Sequence, residues 1–221
     1  MAKQTIKDIV TANIEALREL DYRGLVAWGR ENGMDNKSAF STYKRALTAH
    51  GLDLDEMRHE RCQAQVDDLT SKVTHHITLF SDAKARLDRF AVCSQDGSPV
   101  WFGKFFNDDR DYNGEQSSGE MAAAKKAVWL ASKVAESVGG IVELTLKVDA
   151  EWLVWANSVR EGHDSGGKAR ALGETAQRLG ILLNVEHIPG AENPADKYTV
   201  ESGYKRWQDA DFTSLLQPIN S

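Results

Sequence analysis

The chain has 221 residues, with 27 Lys+Arg against 33 Asp+Glu, a formal net charge of −6 and a hydrophobic content of 41%. This composition fits a globular protein of one domain with an appendage, or two small ones, and excludes a disordered, collagenous or coiled-coil chain. The acidic balance excludes nucleic-acid binding by bulk positive charge but leaves room for local basic patches. No apolar stretch approaches the roughly 18 residues of a membrane span, so no membrane partner is expected. The opening MAKQTIKDIV lacks the apolar core of a secretory signal. Cys62 and Cys93 offer neither metal spacing nor a disulfide framework, and the cytoplasm is the expected location.

Residues 1–70 predict helices only. Ile6, Ile9, Val10, Ile14, Leu17 and Leu20 follow the helical period over Lys3 to Leu20. Asp21 is a cap for a second helix that Gly33 stops. Asp35 or Asn36 caps a third, which runs to Gly51. A fourth starts near Asp53 and carries the charged stretch Glu56 to Asp68. Residues 1–70 are therefore expected to form a small all-α domain, with residues 71–221 as a second domain and C-terminal tail.

The pattern changes near Ser71. ITLFS (77–81), FAVCS (90–94) and VWFGKFF (100–106) are short β-branched or aromatic runs, with Asp96-Gly97 as a tight turn between the last two. They predict a three-stranded antiparallel meander. A polar loop, NDDRDYNGEQSSG, leads to a long helix with Met121, Ala124, Val128, Ala131, Ala135 and Val138 on one face. Val142, Leu144, Leu146 and Val148 alternate as a fourth strand. Trp152 to Val159 and Lys168 to Leu179 read as helices, and Ile181 to Ile188 as a fifth strand. Asn193-Pro194 opens a last helix. The order βββαβααβα gives an α/β fold, a five-stranded mixed sheet flanked by helices, in which the last two strands add in parallel.

Four carboxylates fall at element ends. Asp82 is placed at the exit of the first strand, Asp149 after the fourth, and Glu120 and Asp196 in first helical turns. If the first and fourth strands are neighbours, Asp82 and Asp149 meet. Clustered carboxylates need a compensating cation, and their hard oxygens suit Mg²⁺ or Mn²⁺. Two such ions roughly 4 Å apart clamp the attacking and leaving oxygens of a phosphodiester. The plainer reading is that the helix dipole alone favours acids in first turns. His187 ends the fifth strand before Pro189-Gly190; it is either a structural histidine or an imidazole placed to titrate near neutrality.

The strings ITLFSDA (77–83), GEMAAAKKAVWLA (119–131), LTLKVDAEWLVWA (144–156) and HIPGAENPADKYT (187–199) resemble the type 1 ribonuclease H family, in the form also carried by retroelement reverse transcriptases. The likeness covers residues 75 to about 205. It implies a ribonuclease H-like fold and endonucleolytic cleavage of the RNA strand of RNA–DNA hybrids. It implies two Mg²⁺ ions, with Mn²⁺ as a substitute, held by Asp82, Glu120, Asp149 and Asp196, and His187 assisting proton transfer or product release. Three stretches depart from the family pattern: Asp82-Ala83-Lys84-Ala85-Arg86, Gln116-Ser117-Ser118-Gly119 before the helix glutamate, and Ala150-Glu151 after the third carboxylate. They stand where relatives read 2′-hydroxyls, which makes the chemistry firmer than the strand choice. The alternatives are a nuclease of this fold acting on single-stranded or structured nucleic acid, and a catalytically silent binding member.

Phosphate contacts fall to Lys84, Arg86 and Arg89 of the first hairpin, Lys168 and Arg170 before the last strand, and Lys197. Lys205 and Arg206 are placed on the final helix, and Trp207 is expected to pack. The helix–turn–helix-like segment Tyr22 to Leu47 offers Lys37, Tyr43, Lys44 and Arg45, as a nucleic-acid module or a docking module. His75 and His76 read as boundary residues, and His163, Asp88, Asp108, Asp109, Asp111 and Glu115 as loop surface. The sequence carries no sign of the oligomeric state.

Overall fold

The computed structural model describes residues 4–106, 109–162 and 167–216. The chain divides into two compact units, Met1–Ala64 and Gln65–Ser221.

The first unit contains α1 (Ile6–Ala12), α2 (Ile14–Arg18), α3 (Tyr22–Glu31), α4 (Lys37–Thr48) and the start of α5 (Leu54–Ser71). The caps of α1, α3 and α4 are written in the sequence. Thr5 and Asp8 form a capping box, Asp21 accepts from the Gly24 N–H, and Asn36 accepts from the Ala39 N–H. The single helix expected over Lys3 to Leu20 is instead broken at Asn13. Its amide donates to the Ile9 carbonyl at 2.8 Å, offering the backbone a partner other than the helical ladder. Val10, Leu17, Leu25, Met34, Tyr43, Leu47 and Leu54 form the core. Tyr43 is fully buried and donates to the Leu25 carbonyl at 3.0 Å. Its ring fills the space beside Gly29, where a Cβ would lie 2.6 Å from Tyr43 Cε1. Tyr43 therefore belongs to the core rather than to a nucleic-acid face, and Lys44 is held by Asp55 at 2.5 Å.

The second unit is built on one sheet, ordered β3-β2-β1-β4-β5. Its strands are β1 (Val73–Lys84), β2 (Arg89–Ser94), β3 (Pro99–Lys104), β4 (Ile141–Val148) and β5 (Leu182–His187). The first three run antiparallel, and β4 and β5 add in parallel, as expected. β1 is longer than the run 77–81, because β4 pairs along its first half and β2 along its second. His75 and His76 thus lie inside β1, and His76 Nδ1 sits 2.9 Å from Glu143.

Helix α6 (Gln116–Val138) covers one face of the sheet. Its Ala124, Ala127, Val128 and Ala131 are small enough to bring its axis close to Leu79, Leu144 and Leu146. Each fully buried Leu side chain in that layer contributes roughly 2 kcal/mol through removal from water. The segment 151–159 is a 3₁₀ helix, and α7 (Arg170–Arg178) packs on it. Gly173 allows the approach, since a Cβ there would meet the Ala156 carbonyl at 2.5 Å. The short helix α8 (Ala195–Val200) lies against β1, β2 and β3 on the face opposite α6, over Ala91, Cys93 and Phe102. Lys205 and Arg206 are not on α8, which ends at Val200. They follow it in a segment that bridges the edge of β3 through Phe102 and Lys205. Trp207 packs edge-on against Trp129, with ring centroids 4.7 Å apart. Among the described residues, no helix is long and apolar enough to cross a membrane.

Candidate metal centre

Asp82 lies within β1, paired with Ala91, and not at the strand's exit. The strand runs two residues further because the β1–β2 hairpin continues to Lys84 and Arg89. Asp149 directly follows β4. Phe80 and Lys147 are register partners across the parallel pair, so Asp82 and Asp149 each stand two residues beyond that pair. Glu120 is in the second turn of α6, because the helix begins at Gln116; its first turn carries no acid. The helix dipole therefore does not account for Glu120.

Oxygens of Asp82, Glu120 and Asp149 all lie within 4.8 Å of one another. Asp82 and Glu120 are 4% and 7% exposed, so water shields their charges little. Burial, and then the neighbouring Asp149, push the Asp82 carboxyl up to about 7. Burial, then Asp82 and Asp149, push Glu120 up to about 8. Glu120 Oε2 and Asp149 Oδ1 are buried without a hydrogen-bond partner in the protein. Orphaned, converging carboxylate oxygens are costly unless a cation joins them. The donor set fits a hard divalent ion such as Mg²⁺ or Mn²⁺.

Neighbouring groups hold this arrangement. Gln116, one turn before Glu120, donates to Glu120 Oε1 and to the Ala83 carbonyl, and accepts from the Ala85 N–H at 3.1 Å. It thereby locks α6 to the end of β1. The i, i+4 spacing of Gln116 and Glu120 is visible in the sequence, but the polar string around Gln116 reads as loop. Asn193 is buried; its amide donates to the Ser81 carbonyl at 3.0 Å and its Oδ1 accepts from the Ala195 N–H. This ties the start of α8 to β1 beside Asp82.

The remaining predicted residues are distributed as follows. Asp196 is in the first turn of α8 but outside the 4.8 Å group; its Oδ1 accepts from Lys84 Nζ at 3.0 Å. It still adds to the repulsion on Asp82. His187 is exposed at the end of β5, opposite Val148 and so beside the strand that leads to Asp149. A Cβ on Gly190 would lie 3.2 Å from Asp149 Oδ2, so the loop after β5 closes over that carboxylate. Arg86, Lys168 and Lys197 are exposed, and Lys197 lies over the Tyr198 ring. Arg170 pairs with Glu174 at 2.7 Å. Arg89 is not a free surface cation. It is buried, and its guanidinium donates to the Gly203 carbonyl at 2.6 Å, because β2 places it under the C-terminal segment. Asp109 and Asp111 are likewise not free loop charges, being held by Lys126 and Lys125 of α6. Asp88 accepts from the Tyr112 hydroxyl. Asp108 and His163 lie outside the described residues.

No family model matches the chain, and no curated protein matches it. Among solved structures, it is similar to RNase H1 from the halophilic archaeon Halobacterium salinarum NRC-1. That similarity has 20% identity and a TM-score of 0.36, over 56% of this chain and 93% of the other. It is also similar to the N-terminal RNase H domain of rv2228c from Mycobacterium tuberculosis, determined as a fusion with maltose-binding protein. There the identity is 17% and the TM-score 0.39, over 57% of this chain and 91% of the other.

Proposed function

We propose that the chain is a ribonuclease H-type endonuclease that hydrolyses the RNA strand of RNA–DNA hybrids with divalent cations. The observation that carries this is the group of buried Asp82 and Glu120 with half-buried Asp149, with two orphaned oxygens, at the end of a parallel strand pair. Mg²⁺ or Mn²⁺ held there supplies Lewis acidity for activating water and stabilising the leaving oxygen in phosphodiester hydrolysis.

The chain's own residues do the rest. Asp82 on β1 and Asp149 just after the adjacent β4 would hold the divalent cations between them. Glu120 adds a ligand from α6, kept in place by Gln116. Asp196, paired with Lys84 at 3.0 Å, would be the fourth carboxylate available to a cation, and Lys84 a cation available to substrate phosphate. His187, exposed beside this end of the sheet, carries protons to and from the reacting phosphate. Arg86, Lys168 and Lys197 grip the backbone by charge.

The assay is cleavage of a labelled hybrid with Mg²⁺, beside double-stranded RNA and DNA of the same sequence. Hybrid should be cut in its RNA strand, and Asp82→Asn and Asp149→Asn should each remove activity by at least about a hundredfold. Full activity in either variant refutes the assignment. Cleavage of single-stranded or duplex RNA in preference to hybrid would make the chain a nuclease of broader substrate choice.

A further inference from the structure

A second surface feature lies away from the carboxylates, along the edge of β3. The turn after β3 and the segment Gly203–Arg206 enclose a groove of about 480 Å³. Four cations and six aromatic residues line it, and no carboxylate does. In a chain of net charge −6, so one-sided a lining is a departure from the average surface.

The groove is built rather than incidental. Phe102 and Lys205 exchange backbone hydrogen bonds of 3.1 and 2.9 Å, which fixes the segment to the strand edge. The buried Arg89 holds the Gly203 carbonyl, and its Nε remains buried without a partner. Gly103 allows close approach, since a Cβ there would lie 3.2 Å from Tyr204 Cβ. Yet the result of this pinning is to leave Tyr204 70% exposed, with Phe106 60% exposed in the same lining. Holding large rings rigidly in water has a cost in packing that a merely structural segment avoids. Arg206 lies over the Tyr204 ring at 5.7 Å, and Lys104 is exposed nearby. Among the described residues, neither cation is held by a carboxylate.

Exposed rings flanked by unpaired cations suit a ligand with flat aromatic faces joined by negative charges. We propose that this groove binds single-stranded nucleic acid, with bases stacked on Phe106 and Tyr204 and phosphates on Lys104 and Arg206. Lys84, Arg89 and Lys104 are register partners across β1, β2 and β3, so the groove opens at the end of the sheet that carries Asp82. A strand seated there leads toward the carboxylates, which gives a nuclease a hold on unpaired sequence next to its duplex.

The test is fluorescence anisotropy of a labelled single-stranded oligonucleotide with the full-length protein in EDTA at low salt, where no cleavage intervenes. Phe106→Ala and Tyr204→Ala should each weaken binding about tenfold. Lys104→Gln should lower the slope of log affinity against log salt by about 0.7. Both rings are exposed, so unchanged thermal unfolding serves as the control for folding. No binding by the wild-type protein, wild-type affinity in both ring variants, or equal affinity for an acidic peptide would overturn the proposal. Binding that depends on the rings in a protein that cleaves nothing would support the groove while counting against the nuclease reading.

Discussion

Replacing Asp82 by asparagine should make the metal-free protein more stable at pH 8, although the residue lies at the heart of the proposed centre. The cause is the crowding of Asp82, Glu120 and Asp149, the first two of them buried. Asp82 is pushed from an ordinary 3.8 to about 7, and Glu120 from 4.5 to about 8. Both folded-state values lie above the unfolded ones, so the folded protein binds these protons more tightly. Their contribution is complete below about pH 4 and is lost as pH rises through 7 to 8. For Asp82, a gap of roughly three pH units at about 1.4 kcal/mol each is a cost on the order of 4 kcal/mol when ionised. The cost for Glu120 is similar, but the two share one repulsion and do not add. Asparagine removes one charge, keeps an acceptor for the Ala83 N–H, and offers an amide to the remaining carboxylates. The Asp82→Asn variant should therefore gain about 3 kcal/mol at pH 8 in EDTA, or roughly 6–12 °C in Tm. At pH 4 the gain should vanish. The readout is urea and thermal unfolding followed by tryptophan fluorescence, since Trp101, Trp129 and Trp207 pack together in the second unit. Saturating Mg²⁺ should reverse the ranking, stabilising the wild type and not the variant. A variant less stable than wild type at pH 8 without metal, or a wild type whose stability does not fall between pH 5 and 8, would refute the reasoning.

Two further outcomes follow from polar groups that packing encloses. Lys126 and Asp109 form a 2.5 Å pair with side chains 13% and 9% exposed, and the ammonium sits 4.9 Å from the Phe90 ring. Lys126→Met should cost about 3 kcal/mol in urea unfolding by stranding Asp109, and adding Asp109→Asn should recover most of it. Asn193→Ala breaks two buried hydrogen bonds, so it should cost about 2 kcal/mol in unfolding. It should also lower the rate of hybrid cleavage, because α8 carries Asp196; an unchanged rate would separate that helix from the chemistry.

The elements legible in the sequence are those whose burial follows a local period. Val142, Leu144, Leu146 and Val148 are fully buried and alternate, so β4 announces itself; the caps Asp21 and Asn36 do the same for α3 and α4. What escaped the sequence depends on partners far along the chain. Strand β1 runs past Asp82 because β2 pairs there. Helix α6 starts at Gln116 because that side chain finds Ala83, Ala85 and Glu120, although its neighbours are turn formers. Lys205 and Arg206 leave the helical pattern because Phe102 offers them a strand edge. The three clustered carboxylates were readable from family-like strings. The burial of Arg89, the pairing of Asp196 with Lys84 and the role of Gln116 required the folded chain.

Strand β1 meets β2 through a short turn on one side and β4, much later in the chain, on the other. The hairpin closes a small loop and forms quickly; the parallel pairing closes a large one and is slow. Asp82 and Asp149 come together only in that second event. During synthesis the chain emerges from its N-terminal end, so the meander is assembled well before β4 arrives. Before β4 arrives the chain carries Asp82 and Glu120 without Asp149, and the three-carboxylate group is complete only when the sheet is nearly whole. That group is thus a product of the completed sheet rather than of any one hairpin or helix.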